Sequence, residues 1–392
     1  MKDAAKEMGT KDWLVGNPDR TAQVAALWIG SAGLLILGLQ PVLLGALLAD
    51  ERVNFDQLAL AATAEILAIG IGSVLAAFAI NTRHLRAKAA TLLVVSAALN
   101  YLTAKAGHPE EIILWRGLAG LAEGGLVAFA VELIARSRHA GRYGGYFVTM
   151  QTAAQSLLAV FLTLFVIENE GSAGGFMTLA AVCLASAVAT FWMPREYGKL
   201  PKPENESDAG LLRLRPIASL LCIFFFYMFL GSIWAFLEPL AGEAGISART
   251  AGLMVSISLA AQVLGAGSAT WTEARLPHAP VLILAGLLAA GISVAIALHP
   301  GTLLFWALAM ATGFIWLFVV PFQIRLTIEA DETRSTALLV PAAQLSGAAL
   351  GPAFATAFVS NGSIVPVAWF ACGSAIVSAI FALTFLRPKG AS

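Results

Sequence analysis

Five ionisable side chains lie inside long apolar runs of this 392-residue chain: Glu65, Arg116, Glu123, Glu132 and Glu238. Only 12% of the residues are charged and 58% are hydrophobic, so a charge among apolar neighbours is a costly placement. At mid-bilayer it costs about 2.5–3.5 kcal/mol, and it persists when paired, protonated or facing water. The chemistry open to such groups is proton carriage. Glu65, flanked by 61–64 and 66–71, reads as an isolated carboxyl able to hold a proton. Arg116 and Glu123 are two helical turns apart on one face, about 10 Å along the axis, with Gly120 and Gly124 on the same stripe. One reading is close helix packing, with Arg116 paired to a carboxylate of another span. The other is a relay in which Arg116 controls a proton on Glu123 or Glu65, and the two are compatible. Glu65, Glu123 and Arg116 are therefore the proton-coupling candidates. Glu132 points to the opposite face from Glu123 and has Arg136 four residues on, which suits a local ion pair. Glu132, Arg83 and Arg136 are the gating candidates.

Glu238 precedes Pro239, and a proline breaks a helix and frees a carbonyl, as in the broken helices that line solute sites. The plain alternative is an interfacial carboxylate. An uncharged tier of Gln40, Gln155, Gln262 and Gln344 offers hydrogen bonds to a solute. Trp234 and Trp316 either pack helices or line a cavity for an aromatic or lipophilic solute. These polar positions recur. Gln40-Pro41 returns as Glu238-Pro239 at an offset of 198; the Ala64-Glu65 string returns as Ala261-Gln262 at 197; Ala153-Ala154-Gln155 returns as Ala342-Ala343-Gln344 at 189. Two halves with polar groups at matching depths describe a transporter with one site between them.

The elements that must position these residues are membrane helices, each needing about 20 apolar residues. Hydropathy gives spans at 23–48, 57–80, 88–105, 111–135, 146–168, 175–193, 216–241, 249–271, 279–298, 302–326, 335–358 and 365–386. The expected fold is an all-α membrane protein with twelve transmembrane helices in two pseudo-symmetric six-helix bundles. Its parts are an N-terminal tail (1–22), a first bundle (23–193), a polar linker (194–215), a second bundle (216–386) and a C-terminal tail (387–392). Twenty of the 24 Lys and Arg fall on the side of the termini and linker, while Arg52, Lys105 and Arg249 fall opposite. That asymmetry puts both termini and the linker in the cytoplasm, with the chain multi-pass in the cell's inner membrane. The mixed-charge stretch Met1 to Arg20 has no apolar core and is not a signal peptide.

Several classes are excluded. No GxxxxGK[ST] phosphate loop occurs, so no ATPase is present, and no GxSxG elbow occurs. His84, His108, His139, His278 and His299 all fall in loops or at span ends, so no buried metal cluster or Ser–His pair is expected. Cys183, Cys222 and Cys372 read as small hydrophobes. The chain is expected to be no enzyme, to use no cofactor or metal, and to bind no nucleic acid, its net charge being zero. Its partners are a small-molecule solute, protons and the lipid bilayer, and it works as a monomer.

Taken with these features, the chain resembles the major facilitator superfamily over nearly its whole length. The stretch Asn81-Thr82-Arg83-His84-Leu85-Arg86-Ala87-Lys88 is a degraded match to that family's basic loop between spans two and three, with Asn81 where an acid is expected and His84 where Gly is usual. Arg116 with Gly120 and Gly124 resembles its span-four R-x-x-x-G motif, linked in proton-driven members to coupling. The glycine run ending in Gly-Pro that marks span five of antiporters is absent from 146–168, and a partial version, 347–352, sits on span eleven. The resemblance implies a proton-coupled secondary active transporter working by alternating access and moving a small, partly apolar organic solute. Symport is preferred over export of lipophilic compounds, and a nontransporting membrane sensor is the remaining alternative.

Overall fold

The computed structural model of the chain describes residues 12–79, 83–138, 140–198, 214–272, 275–330, 336, 339–359 and 363–386. Tail residues 1–11 and 387–392, most of the linker (199–213), Asn81, His139 and Arg334 lie outside the described residues. The described helices are α1 (Arg20–Ala32), α2 (Leu35–Ala49), α3 (Phe55–Ala79), α4 (Leu85–Lys105), α5 (Pro109–Ala135), α6 (Ala140–Phe161), α7 (Ile167–Ala187), α8 (Leu214–Ala235), α9 (Leu237–Glu243), α10 (Ala248–Thr272), α11 (His278–Ala297), α12 (Thr302–Phe318), α13 (Val320–Ala330), α14 (Val340–Thr356) and α15 (Val365–Leu383). An apolar chain in lipid must satisfy its backbone polar groups internally, and a helix does so within one segment.

Among the described residues, ten helical stretches are long and apolar enough to cross a membrane. One of them, Arg142–Phe191, has 50 residues, far more than one crossing of about 20. It turns back at Gly171, whose φ of 58° lies in the left-handed region open to glycine. The 17-residue α14 falls just below the length of the other spans. Twelve passes account for these lengths.

Among the described residues three passes are discontinuous, two of them just ahead of a proline. The first breaks between α1 and α2 at Gly33–Leu34, with Pro41 farther along α2. The seventh breaks at Phe236, three residues before Pro239. The tenth breaks at Val319, two residues before Pro321. A proline ring clashes with the turn before it, so the irregular residue sits just ahead of Pro239 and Pro321. At the first break the Leu34 carbonyl accepts from Leu37 N at 3.2 Å and from Gln155 Nε2 at 2.6 Å.

The helices pack as two compact units, Met1–Leu39 with Ala64–Glu204, and Gln40–Thr63 with Asn205–Ser392. In the first, α4 lies against α5 and α7, and α1 against α5 and α6. In the second, α8 lies against α14 and α15, α10 against α12, and α11 against α15. The two halves of the chain repeat in packing as well as in order. Phe55 and Ala248 open equivalent helices, as do Leu85 and His278, and Pro109 and Thr302; all three pairs share one offset, 248 − 55 = 193. The same interval governs the glycine contacts. Gly120 packs on the Glu65 carbonyl, and Gly313 on that of Ser258; Gly72 packs on the Leu121 carbonyl, and Gly265 on that of Phe314.

The repeat intervals of 197 and 198 expected from sequence are therefore four and five residues too long, and 189 is four too short. Glu65 corresponds to Ser258 rather than Gln262, and Gln155 to Ala348 rather than Gln344. A slip of four residues leaves a side chain on nearly the same helix face, so the short Ala/Leu/Gly strings could not resolve it.

A Cβ at Gly120 or Gly313 would meet backbone carbonyl oxygen of the facing helix, which cannot move without shifting the helix. Gly120→Ala and Gly313→Ala should each lower stability by about 1–3 kcal/mol. Gly291→Ala, with open space around it, should not destabilise. Thermal unfolding in detergent checks the three together; a Gly120→Ala protein as stable as Gly291→Ala would refute the packing described.

Candidate functional site

Arg116 and Glu123 share the face of α5 that Gly120 and Gly124 press against α3. This close approach brings Glu65, on α3, directly to the Arg116 guanidinium. Arg116 Nη2 pairs with Glu65 Oε1 and lies 3.5 Å from Glu123 Oε1. The long arginine side chain thus spans the two helical turns between its own Cα and Glu123. Arg116 Nη1 donates to Asn100 Oδ1 at 2.8 Å, and Asn100 Nδ2 donates to the Ser96 carbonyl at 2.9 Å. The guanidinium stands over the Phe176 ring, 5.1 Å from its centroid, a cation–π arrangement. The charged side chains are sealed: Arg116 and Glu65 are 1% exposed and Glu123 5%. Glu123 Oε2 has no hydrogen-bond partner among the described residues.

Glu65 is thus not the isolated carboxyl its flanking sequence suggests. Its partner comes from a helix two passes further along the chain, brought close by glycines. Asn100 and Phe176 were missed by sequence reading. An amide in the apolar run of α4 is the same signal that singled out the glutamines. Phe176, one of many aromatics, carried no signal.

Gln155 is buried with its carboxamide over Gly38, tied to the broken first pass through Leu34. In the second unit, Gln40 is buried, and its Nε2 has no partner among the described residues; the same holds for Gln262 and Gln323. Gln344 Nε2 donates to Gln323 Oε1 at 3.2 Å, a pairing the sequence did not indicate. Trp234 and Trp316 meet edge to face, centroids 5.3 Å apart at 84°. Trp316 is the repeat counterpart of Glu123, so the second half carries an indole where the first carries a carboxyl. Glu238 is buried in α9, with its carboxyl lying over Gly45 of α2.

The gating candidates separate. Arg136 pairs with Glu132, donates through Nη1 to the Glu132 carbonyl at 2.8 Å and through Nε to the Gly198 carbonyl at 2.9 Å, and stacks 5.0 Å from the Tyr197 centroid. Its own carbonyl accepts from Leu14 N at 2.8 Å. This is a clasp at the end of α5. Arg83 is exposed ahead of α4 and belongs to no such cluster among the described residues. Among the same residues, no group of His, Cys, Asp and Glu is arranged to hold a metal ion.

A sequence family described as the Major Facilitator Superfamily matches residues 26–337. The chain belongs to that family, and is a secondary transporter rather than an enzyme. No curated protein matches it. Among solved structures it is similar to the nucleoside transporter NupG, at 15% identity and a TM-score of 0.74, over 93% of this chain and 100% of that one. It is also similar to a D-xylose-proton symporter, at 14% identity and 0.68, over 94% and 97%. A third is a bacterial homolog of the human lysosomal transporter Spinster, inward-facing and unoccupied, at 14% and 0.63, over 93% and 94%. At these identities the likeness is one of fold.

Removing Arg116 would leave two buried carboxyls facing each other with no cation. Arg116→Leu should destabilise the protein by about 3–5 kcal/mol. Adding Glu65→Gln to it should recover much of that loss, because one of the two uncompensated acids is gone. Chemical denaturation of the purified single and double variants checks the pairing. A double variant less stable than the single one would refute it.

Proposed function

We propose that the chain moves a small, partly apolar organic solute by alternating access, coupled to protons and in symport. It works as a monomer in the inner membrane with both termini in the cytoplasm. The observation that carries the coupling is the sealed cluster of one cation, Arg116, with two carboxyls, Glu65 and Glu123. Fully ionised it would hold a net charge of −1 away from water, a costly state. Taking up one proton makes it neutral. Glu65, in direct contact with Nη2, is the standing counter-ion of Arg116. Glu123, with Oε2 unpartnered, is the proton carrier, and Arg116 is the group that answers its change of charge.

On the solute side, Gln40, Gln262 and Gln323 offer buried amide donors without partners among the described residues, in the unit that also carries the Trp234–Trp316 pair. Gln155 and Gln344 already hold protein groups, so their part is to shape the site and exchange partners as it opens. Glu132, Arg136 and Arg83 would act at the cytoplasmic gate. The D-xylose-proton symporter among the structural neighbours supports symport at the level of fold alone. The tryptophan pair favours a second reading, export of a lipophilic compound in exchange for protons.

Proteoliposomes with an imposed pH gradient test the coupling. For one proton per solute, uptake driven from the acidic side should reach about ten-fold accumulation per pH unit. Glu123→Gln should still exchange solute at equal pH but lose accumulation. Wild-type flux indifferent to the gradient would sink proton coupling, and intact accumulation in Glu123→Gln would sink the choice of carrier. Solute driven toward the acidic side would establish export.

A further inference from the structure

We propose that Glu238 is the anchor for an organic cation, so that the solute carries a positive nitrogen or equivalent centre beside its apolar body. The proposal deepens the transporter reading above and rests on it. Glu238 is 9% exposed, and no hydrogen bond or ion pair reaches its carboxyl among the described residues. The deeply buried cations among those residues, Arg116 and Arg136, both belong to the other unit. A buried carboxylate without a cation is costly, and a ligand that brings the cation removes the cost.

The place is shaped for the carboxyl. It lies over Gly45, where a Cβ would overlap both carboxyl oxygens, so the glycine makes its room. Gly45 is also the repeat counterpart of Glu238, at the offset that relates the two halves. The repeat therefore puts a glycine opposite its own acidic counterpart, and the charge is supplied once.

The neighbourhood indicates which cation. Trp234 is four residues before Glu238, across the break at Phe236, and meets Trp316 edge to face. Indole faces attract cations, organic ones with flat or apolar bodies above all. An alkali ion would need several oxygen ligands, and Glu238 contributes one carboxyl. An aromatic or alicyclic amine, or a quaternary ammonium, satisfies the carboxyl and the indoles together.

Equilibrium dialysis of the purified full-length protein, at one pH and with no gradient, tests this independently of proton coupling. The probes are the permanently cationic N-methylquinolinium, ethidium and tetraphenylphosphonium, with uncharged quinoline as control. Saturable binding of a cationic probe is expected, weakened about 30-fold or more in Glu238→Gln, since that variant leaves the bound charge unpaired. Glu238→Asp should retain most of the affinity. Gly45→Ala, which leaves Glu238 in place but displaces its carboxyl, should weaken binding, and quinoline should not distinguish Glu238→Gln from wild type. Melting curves identify a variant that fails to fold, and Gly45→Ala then carries the comparison. The proposal is overturned if no cationic probe binds, if Glu238→Gln and Gly45→Ala both bind as wild type does, or if sodium or potassium displaces the probe at matched concentration. Cation binding that persists while pH-driven flux fails would remove the coupling reading alone.

Discussion

A guanidinium buried between two carboxyls is the constraint on which the first half of this transporter depends. Each ion taken from water costs several kcal/mol, and the attraction between them offsets this only when nearly every proton and lone pair finds a partner. Arg116 is contacted from four directions, with its Nε left without a hydrogen-bond partner among the described residues. One amino group is held by Asn100, the other faces Glu65 and Glu123, and the flat face rests on Phe176. Lysine could not substitute, because it lacks both the fork and the flat face. Four helices, α3, α4, α5 and α7, must hold register to keep these contacts. Gly72, Gly120 and Gly124 fix α3 against α5 backbone to backbone, where a small slip would produce overlap.

The same arrangement explains why the site can change state. A cluster with every atom satisfied would be inert. Glu123 Oε2 and Arg116 Nε both lack a hydrogen-bond partner among the described residues, and the Glu123 carboxyl stands 3.5 Å from the guanidinium. Gln155 adds a second hydrogen bond to the Leu34 carbonyl where the first pass breaks. Both lie beside that break, since Gly33 packs on the Glu123 carbonyl. At such an interruption a protein in lipid has spare hydrogen-bonding capacity to redirect.

Much of this was legible in the chain. Apolar runs fixed the helices because lipid allows little else, and the turn between the fifth and sixth passes fell near the expected loop. Arg116, Glu123 and Glu65 stood out because charge in such runs is expensive. Their pairing was legible in part: the stripe of Gly120 and Gly124 pointed to close packing and Arg116 to a carboxylate of another span, but nothing in the sequence singled out Glu65 as that partner. Asn100 was within reach of the logic that found the glutamines. Gln323, which pairs with Gln344, was not among the glutamines singled out from the sequence. The register of the repeat was missed by four or five residues, since apolar strings match themselves equally well about a turn away.

With the register set at 193, the two halves share their packing and differ in their chemistry. Gly72, Gly120 and Gly38 in the first half correspond to Gly265, Gly313 and Gly231 in the second, and each is pressed by the equivalent neighbour. The charged positions do not correspond in kind: Glu65, Asn100, Arg116 and Glu123 are matched by Ser258, Ser293, Ala309 and Trp316. Glycine contacts cannot drift, because any side chain there separates two helices. Residues pointing inward are under no such restraint and can diverge once the frame holds. The second half has no such buried ion cluster among the described residues and carries instead an aromatic pair and one buried acid, Glu238. The two halves thus differ in their buried polar groups within one frame of glycine contacts.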